Sequence, residues 1–308
     1  MRHQKKRWFA ALLSLCMLLS ILPSTSIAFS ESEETWSGNR RKQTIDGGTH
    51  TITLSNLTID SPGVEKSAID ITGNADVTFI LEGNNTLRGY RNHPAIWVES
   101  GSSVTFEGNG LLEASAGGAS IGLGAAGIGG GYGASSNFGN ITINGGTIIA
   151  RGSGGGAGIG GGYEVGSGTV TGNVTINGGY VTAIGGSSGS TGGAGIGSGE
   201  NANYSGTVTI NGGVVYAEGG ADSTSIGRGN RAIGTSDNGA FTTGTGGNAV
   251  IVAPDGIGDP SGFADWDGIF ISYEGNNTSA TVGEDGTVHL NDTEANIQVW
   301  GEPVIDYP

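Results

Sequence analysis

Tyrosines and a tryptophan among polar neighbours are the residues best suited to chemistry, because exposed rings can stack on the C–H faces of a sugar. Tyr132 and Tyr163 each follow a Gly-Ile-Gly-Gly-Gly string, so equivalent positions of a repeat would stack them on one edge. Tyr180 and Tyr216 form another group, turned outward by strand alternation. A further group occupies one loop and strand: Arg88, Tyr90, Arg91, His93 and Trp97. All are candidate carbohydrate-binding residues, although a single surface tyrosine can also simply cover a turn.

Carboxylates near the C-terminus offer the oxygen ligands of a calcium site. They are Asp255, Asp259, Asp265 and Asp267, within thirteen residues and with Gly and Pro between them. Calcium takes six to eight oxygen ligands. The spacing matches neither an EF-hand loop nor a calcium-binding nonapeptide, so a solvated acidic loop is the alternative.

Catalysis would need titratable side chains grouped at one place. A polysaccharide lyase on such a scaffold uses an Arg or Lys base beside calcium-binding acids, and a glycosidase uses paired carboxylates. Arg228 and Arg231 lie near Glu218 in the sequence, but no acidic row follows one strand face. We therefore predict no catalytic residues and no cofactor. A lyase acting on acidic glycans, with calcium, is the enzymatic alternative.

The first 28 residues have the pattern of a secretory signal peptide. A basic start at 1–7 precedes an uncharged apolar run at 8–23, and Ser26 and Ala28 are small residues suited to cleavage. The run is short for a membrane-spanning helix of about 20 residues, so an anchor is the weaker alternative. Cys16, the only cysteine, lies in this segment, so the processed chain would have no disulfide. We predict a secreted or cell-surface protein with no membrane association after cleavage.

The charge balance is strongly acidic. Removal of residues 1–28 leaves nine of the 13 Lys and Arg against 28 Asp and Glu, a formal net charge of −19. Nucleic-acid-binding proteins need basic faces, so nucleic acid is excluded as a partner, and anionic lipid with it. Hydrophobic residues still make up 35% of the chain, enough for a core despite 63 glycines.

An internal repeat indicates the elements that must position these side chains. Three segments end in Thr-Ile-Asn-Gly-Gly, which is preceded by Ile or Val in each. They are 140–146, 173–179 and 207–213, at offsets of 33 and 34 residues. Each is followed by a second β-branched run and then an Ala-Gly-Ile or Ser-Ile string. Segments near 52–71, 77–98 and 104–128 keep the same order with fewer glycines, which makes six units.

Each unit contains three short strands that cannot bury a face alone, whereas stacked units share a continuous apolar interior. We predict an all-β fold, a right-handed parallel β-helix of about six coils over residues 46–247. A loose leader at 29–45 would precede it. An irregular final coil and cap at 248–308 would cover its open end.

Two polar rows are expected on the outer surface. One contains threonines, which suit an exposed parallel sheet, and the other contains the asparagines that begin Asn-Gly-Gly turns. A hydroxyl array that orders water is the alternative function for the threonines. The rows are Thr53, Thr78, Thr105, Thr142, Thr175 and Thr209, and Asn144, Asn177 and Asn211.

The strings Ala-Gly-Ile-Gly-Gly-Gly and Ile-Thr-Ile-Asn-Gly-Gly-Thr resemble those of secreted, glycine-rich parallel β-helix proteins of Firmicutes. These are described as carbohydrate-binding-domain-containing or cell-surface proteins, and the resemblance spans about residues 50–270. It implies binding to a polysaccharide or cell-wall glycan. We therefore expect a non-catalytic extracellular polysaccharide-binding or adhesin module, with the lyase and a purely structural spacer as alternatives.

Overall fold

The computed structural model describes residues 34–60, 66–118, 123–133, 136–166, 168–230, 238–243 and 249–258, and five further strands between 269 and 306. The chain divides into two compact units, Met1–Ser32 and Glu33–Pro308, and the predicted signal peptide lies outside the described residues. The protein is nearly all β, about 52% strand and 1% helix, which confirms the predicted class. Within the described ranges, no helix is long and apolar enough to span a membrane.

The strands are short and follow one another at regular intervals. In chain order they are β1 (Glu34–Asn39), β2 (Gln43–Asp46), β3 (Thr49–Ile59), β4 (Ile69–Thr72), β5 (Asp76–Glu82), β6 (Asn84–Arg88), β7 (Ile96–Val98), β8 (Ser103–Gly108), β9 (Leu111–Ser115), β10 (Ile128–Gly129), β11 (Asn140–Ile143), β12 (Thr147–Arg151), β13 (Ile159–Gly160), β14 (Thr169–Val170), β15 (Asn173–Ile176), β16 (Tyr180–Ile184), β17 (Ser187–Ser188), β18 (Thr191–Gly192), β19 (Ile196–Gly197), β20 (Asn203–Ile210), β21 (Val214–Glu218), β22 (Ile226–Gly227), β23 (Asn238–Thr243), β24 (Val250–Val252), β25 (Ile269–Glu274), β26 (Ala280–Val282), β27 (Val288–Leu290), β28 (Asn296–Trp300) and β29 (Ile305–Asp306).

Equivalent strands of successive units pair in parallel and form three columns. The first column runs β1, β3, β5, β8, β11, β15, β20, β23. The second runs from the end of β3 through β6, β9, β12, β16, β21, β24 and β25. These two columns belong to one large sheet that curls as a half-barrel. The third column is a separate sheet, β2, β4, β7, β10, β13, β19, β22.

Strand alternation places one apolar row from each column in the core. The third column contributes a row of isoleucines that are at most 1% exposed, at about 1.5–3 kcal/mol of burial free energy each. They are Ile69, Ile96, Ile128, Ile159, Ile196 and Ile226. On most of the longer strands the residues between the core positions face outward, as the period of two in the sequence predicts.

The register of β3 differs from the predicted one by two residues. Thr51, rather than Thr53, lies beside Thr78, and Ile52 lies beside Phe79. A slip of two residues leaves every side chain on its predicted face, so alternation alone cannot distinguish the two registers. The threonine row therefore begins at Thr51, and it continues beyond Thr209 to Thr242.

Two strands lie in the segment that we predicted to be a leader. β1 pairs with β3, and β2 pairs with β4. Trp36 anchors β1 because its side chain is only 4% exposed and its ring centroid lies 6.2 Å from that of Phe79. The stack of strands thus begins before residue 46.

Glycine determines the geometry of the third column in the central units. Gly129, Gly160, Gly197 and Gly227 align above Trp97 and adopt φ angles between 129° and 138°. An added β carbon on Gly160 would overlap the carbonyl oxygen of Gly197 in the next unit. Only glycine permits both this conformation and this close approach.

The final strands depart from the repeat. β24 and β25 extend the second column in parallel, but β28 pairs with β25 in the antiparallel direction. β26, β27 and β29 form a separate small sheet. All three residues of β24 are buried, so its outer face is covered, unlike the outer faces of β12, β16 and β21.

Candidate functional site

The backbone places Tyr132 and Tyr163 at equivalent positions of successive units. The N–H of Gly133 donates to the carbonyl of Tyr163, and the N–H of Glu164 donates to the carbonyl of Glu200. The N–H of Asn201 donates in the same way to Asn230. Tyr132, Tyr163, Glu200 and Asn230 therefore form one row along the edge that follows the third column, called the tyrosine edge below.

The two tyrosine rings of this edge are stacked. Their centroids are 5.8 Å apart with an interplanar angle of 26°, and both residues are half-buried. The predicted stacking is thus confirmed. Nearly parallel rings at this separation attract each other beyond the area that they bury, which favours one mutual orientation. The pair therefore places two aromatic rings side by side at this edge.

Carboxylates adjoin this pair of rings. An added β carbon on Gly155 would lie 2.7 Å from Oε2 of Glu200 and 3.0 Å from Cδ2 of Tyr163, so these groups line one small space. Glu200 is only 3% exposed, whereas Glu164 is half-buried and accepts a hydrogen bond from the Ser136 hydroxyl. The edge thus brings two aromatic rings close to carboxylate oxygens, of which those of Glu164 are the more exposed.

The candidate group from Arg88 to Trp97 is only partly brought together in the structure. Arg88 ends β6 and forms an exposed ion pair with Asp60, with Nε and Oδ1 3.4 Å apart. Arg91 stacks over the Tyr90 ring at 5.5 Å from the ring centroid, in the loop that leads to β7. The remaining candidates are His93, in the same loop, and Trp97, half-buried on the outer side of β7.

Tyr180 and Tyr216 both face outward, as predicted, but they are not directly opposite. In the pairing of β16 with β21, Tyr180 is opposite Val214, and Tyr216 is opposite Thr182. The two rings are therefore diagonal neighbours on the sheet. The Tyr216 hydroxyl donates to Oε2 of Glu218 at 2.8 Å, which ties it to its own strand.

Only Asp255 of the four calcium candidates is described; Asp259, Asp265 and Asp267 lie outside the described residues. Oδ2 of Asp255 accepts hydrogen bonds from the Gly219 N–H at 2.9 Å and the Ser225 hydroxyl at 3.3 Å. Burial raises the pKa of Asp255, and the nearby Glu218 carboxylate raises it further. In the part of the chain that the structure describes, no three His, Cys, Asp or Glu side chains are grouped for metal binding.

The asparagine row forms a hydrogen-bonded ladder. Nδ2 of Asn177 donates to Oδ1 of Asn144 at 2.8 Å, and Nδ2 of Asn211 donates to Oδ1 of Asn177 at 2.7 Å. Asn173 and Asn140 form a parallel bond at 3.0 Å. These contacts give the asparagines a structural role between units, in agreement with the turn role that their sequence context predicts.

Two buried polar residues were not singled out by the sequence. Asn85 is fully buried; its Oδ1 accepts from the Leu57 N–H, and its Nδ2 donates to the carbonyls of Glu82 and Leu111. Tyr204 is fully buried and donates to the Gly172 carbonyl at 2.9 Å, and burial raises its pKa. The sequence does contain a signal for Asn85, because it places a polar residue at a strand position where alternation predicts a core residue.

No protein-family model, no curated protein and no solved structure matches this chain.

Proposed function

We propose that this protein is a non-catalytic extracellular module that binds a polysaccharide or cell-wall glycan along the tyrosine edge. The stacked pair of Tyr132 and Tyr163 carries the proposal, because two parallel half-buried rings present a platform for pyranose C–H faces. Glu164, beside Tyr163, and Asn230, in line with it, supply acceptors and donors for hydroxyl groups.

The scaffold we propose is a right-handed parallel β-helix of about six coils with an irregular C-terminal cap. Parallel pairing in three columns supports it, as does the usual hand of crossovers between parallel strands. In such a scaffold Tyr132, Tyr163, Glu200 and Asn230 lie in line on successive units, so an extended glycan could contact more than one unit. An experimental structure with left-handed turns would contradict this proposal.

Retention on a panel of insoluble glycans tests the function. We expect Tyr132→Ala and Tyr163→Ala each to weaken retention about tenfold, equivalent to about 1.4 kcal/mol. Tyr90→Ala is the matched control, because it removes a tyrosine from another candidate group, in the loop before β7. We expect it to bind like the wild-type protein.

Two outcomes would refute the proposal: no retention on any glycan, or retention that survives the double substitution at Tyr132 and Tyr163. Release of unsaturated products from an acidic glycan, with or without calcium, would favour the lyase alternative. Cleavage of the N-terminal segment during expression in a secreting host tests the extracellular location separately.

A further inference from the structure

The outer face of the second column is partly apolar. On β12, β16 and β21 the outward positions are half-buried, apart from the exposed Arg151, and five of the nine carry isoleucine, valine or tyrosine. An exposed parallel sheet would ordinarily present polar residues there, as the threonine row of the first column does. The outward residues are Thr147, Ile149 and Arg151 on β12, Tyr180, Thr182 and Ile184 on β16, and Val214, Tyr216 and Glu218 on β21.

The charges on this face are symmetric about its central strand. Arg151 and Glu218 occupy the same row as Ile184, one strand to either side of it. Within one chain their backbones are two strands apart, about 9–10 Å. They have opposite charges, and a two-fold rotation about an axis along β16 exchanges the positions of β12 and β21 and keeps each row.

We infer that this face binds the same face of a second copy of the chain, with the two-fold axis along β16. The rotation places Arg151 opposite Glu218 of the second copy, and Ile149 opposite Tyr216 of that copy. Ile184 and Tyr180 each meet their own counterpart on the axis. An isologous interface must be self-complementary in this way, and here the apolar rows and the charges both satisfy the requirement.

The extent of the face indicates how strong the association can be. Three strands of five residues cover a few hundred Å² per copy, below the roughly 800 Å² per partner of a standard interface. The outer face of β24 is already buried, which limits the free area at that end. We therefore expect a weak dimer that forms at high local concentration, such as on a surface that displays many copies.

Sedimentation velocity over a wide range of protein concentration tests this inference. The wild-type protein should move towards twice the monomer mass as concentration rises, and Ile184→Glu should weaken association at least tenfold. Thr175→Glu is the matched control, because it adds the same charge at an outward position of the first column. It should associate like the wild-type protein.

Exchanging the two charges tests whether Arg151 pairs with Glu218 of the second copy. Arg151→Glu and Glu218→Arg should each weaken association several-fold, and the double variant should restore it, because the opposite charges again meet across the interface. Arg151 is exposed, so its substitution leaves the fold intact, as far-UV circular dichroism would verify.

The inference fails if the wild-type protein is monomeric at every concentration, if Ile184→Glu associates normally, or if the double charge exchange gives no recovery. Loss of glycan retention by Ile184→Glu without any change in association would identify the face as a ligand surface and would also overturn the inference. Because Tyr132 and Tyr163 lie elsewhere, their substitution tests glycan binding without altering dimer formation.

Discussion

The N-terminal and central units share one strand order but differ in interior and in edge. In the first column, Phe79 and Phe106 are followed by Ile143, Ile176 and Ile210 in the same core row. In the third column, Asp70 and Trp97 are followed by glycines. In this core row, therefore, phenylalanines fill the N-terminal units and isoleucines fill the central units, which enclose the stacked rings of Phe138 and Tyr204 elsewhere in the core.

The difference shows that one register can be maintained by two kinds of packing. Trp36, Phe79 and Phe106 stack inside the N-terminal units, with centroids 6.2 and 5.9 Å apart. In the central units the glycine row of the third column leaves no room for a β carbon, as at Gly160. The stacked tyrosines lie in the glycine-rich part of the chain, since 48 of the 63 glycines are between residues 101 and 247.

The largest expected effect comes from the aromatic core. Phe79→Ala should lower the free energy of unfolding by about 3–5 kcal/mol, because it removes the ring between Trp36 and Phe106 and leaves a cavity. Ile176→Ala, in the same row of a central unit, should cost less because a smaller volume is lost. Urea denaturation of both variants measures the difference, and an equal loss would show that the two interiors are equivalent.

Gly160→Ala tests the other kind of packing. The alanine β carbon would overlap the next unit, and φ of 136° is unfavourable for it, so we expect a loss of about 3 kcal/mol. Gly118→Ala is the control, since no atom lies within 4 Å of its added carbon. That substitution should change the unfolding free energy by less than about 0.5 kcal/mol. Similar values for both would contradict the close packing of the third column.

Asn85→Leu would make an N-terminal unit resemble the others, where Leu112 and Ile148 occupy the same row. Asn85 accepts a hydrogen bond from the Leu57 N–H beside a bulge in β3. At this bulge Ser37 and Gly38 of β1 pair with Ser55 and Leu57 of β3. Leucine cannot accept that hydrogen bond, so we expect a loss of about 1–3 kcal/mol. Thermal unfolding of this variant beside the wild-type protein provides the measurement. Full stability of the leucine variant would refute the role of Asn85 in the bulge.

The smallest effect concerns pH at the C-terminal end of the central units. Because burial raises the pKa of Asp255, the native state binds its proton at higher pH than the unfolded chain does. The free energy of unfolding therefore falls as pH rises through the window between the unfolded pKa, about 3.9, and the raised native pKa.

Asp255→Asn removes this titration and can keep an acceptor for the Gly219 N–H. It should raise the unfolding free energy at pH 7 by less than about 1 kcal/mol, and the gain should vanish near pH 3. Denaturation curves at both pH values measure it. A variant that is less stable than wild type at pH 7 would contradict the prediction.

Much of the candidate site follows from the repeat. Tyr132 and Tyr163 were expected to stack because each follows the same string, and equivalent positions of stacked units are neighbours. The diagonal offset of Tyr180 and Tyr216 could not be predicted from the sequence. Alternation predicts that both residues face outward, but it does not predict which residues of neighbouring strands lie opposite each other. Asp259, Asp265 and Asp267 remain calcium candidates from their sequence spacing alone.

The sequence by itself determined the all-β class, the parallel stacking order and which side chains face outward, because period-two alternation and a repeat of 33 or 34 residues encode them directly. Tertiary structure alone decided that Thr51 lies beside Thr78, that β1 and β2 join the sheets, and that Asn85 bridges three backbone segments. Each of these depends on contacts between distant segments. A slip of two residues preserves alternation, and only the fit of neighbouring units selects between the registers.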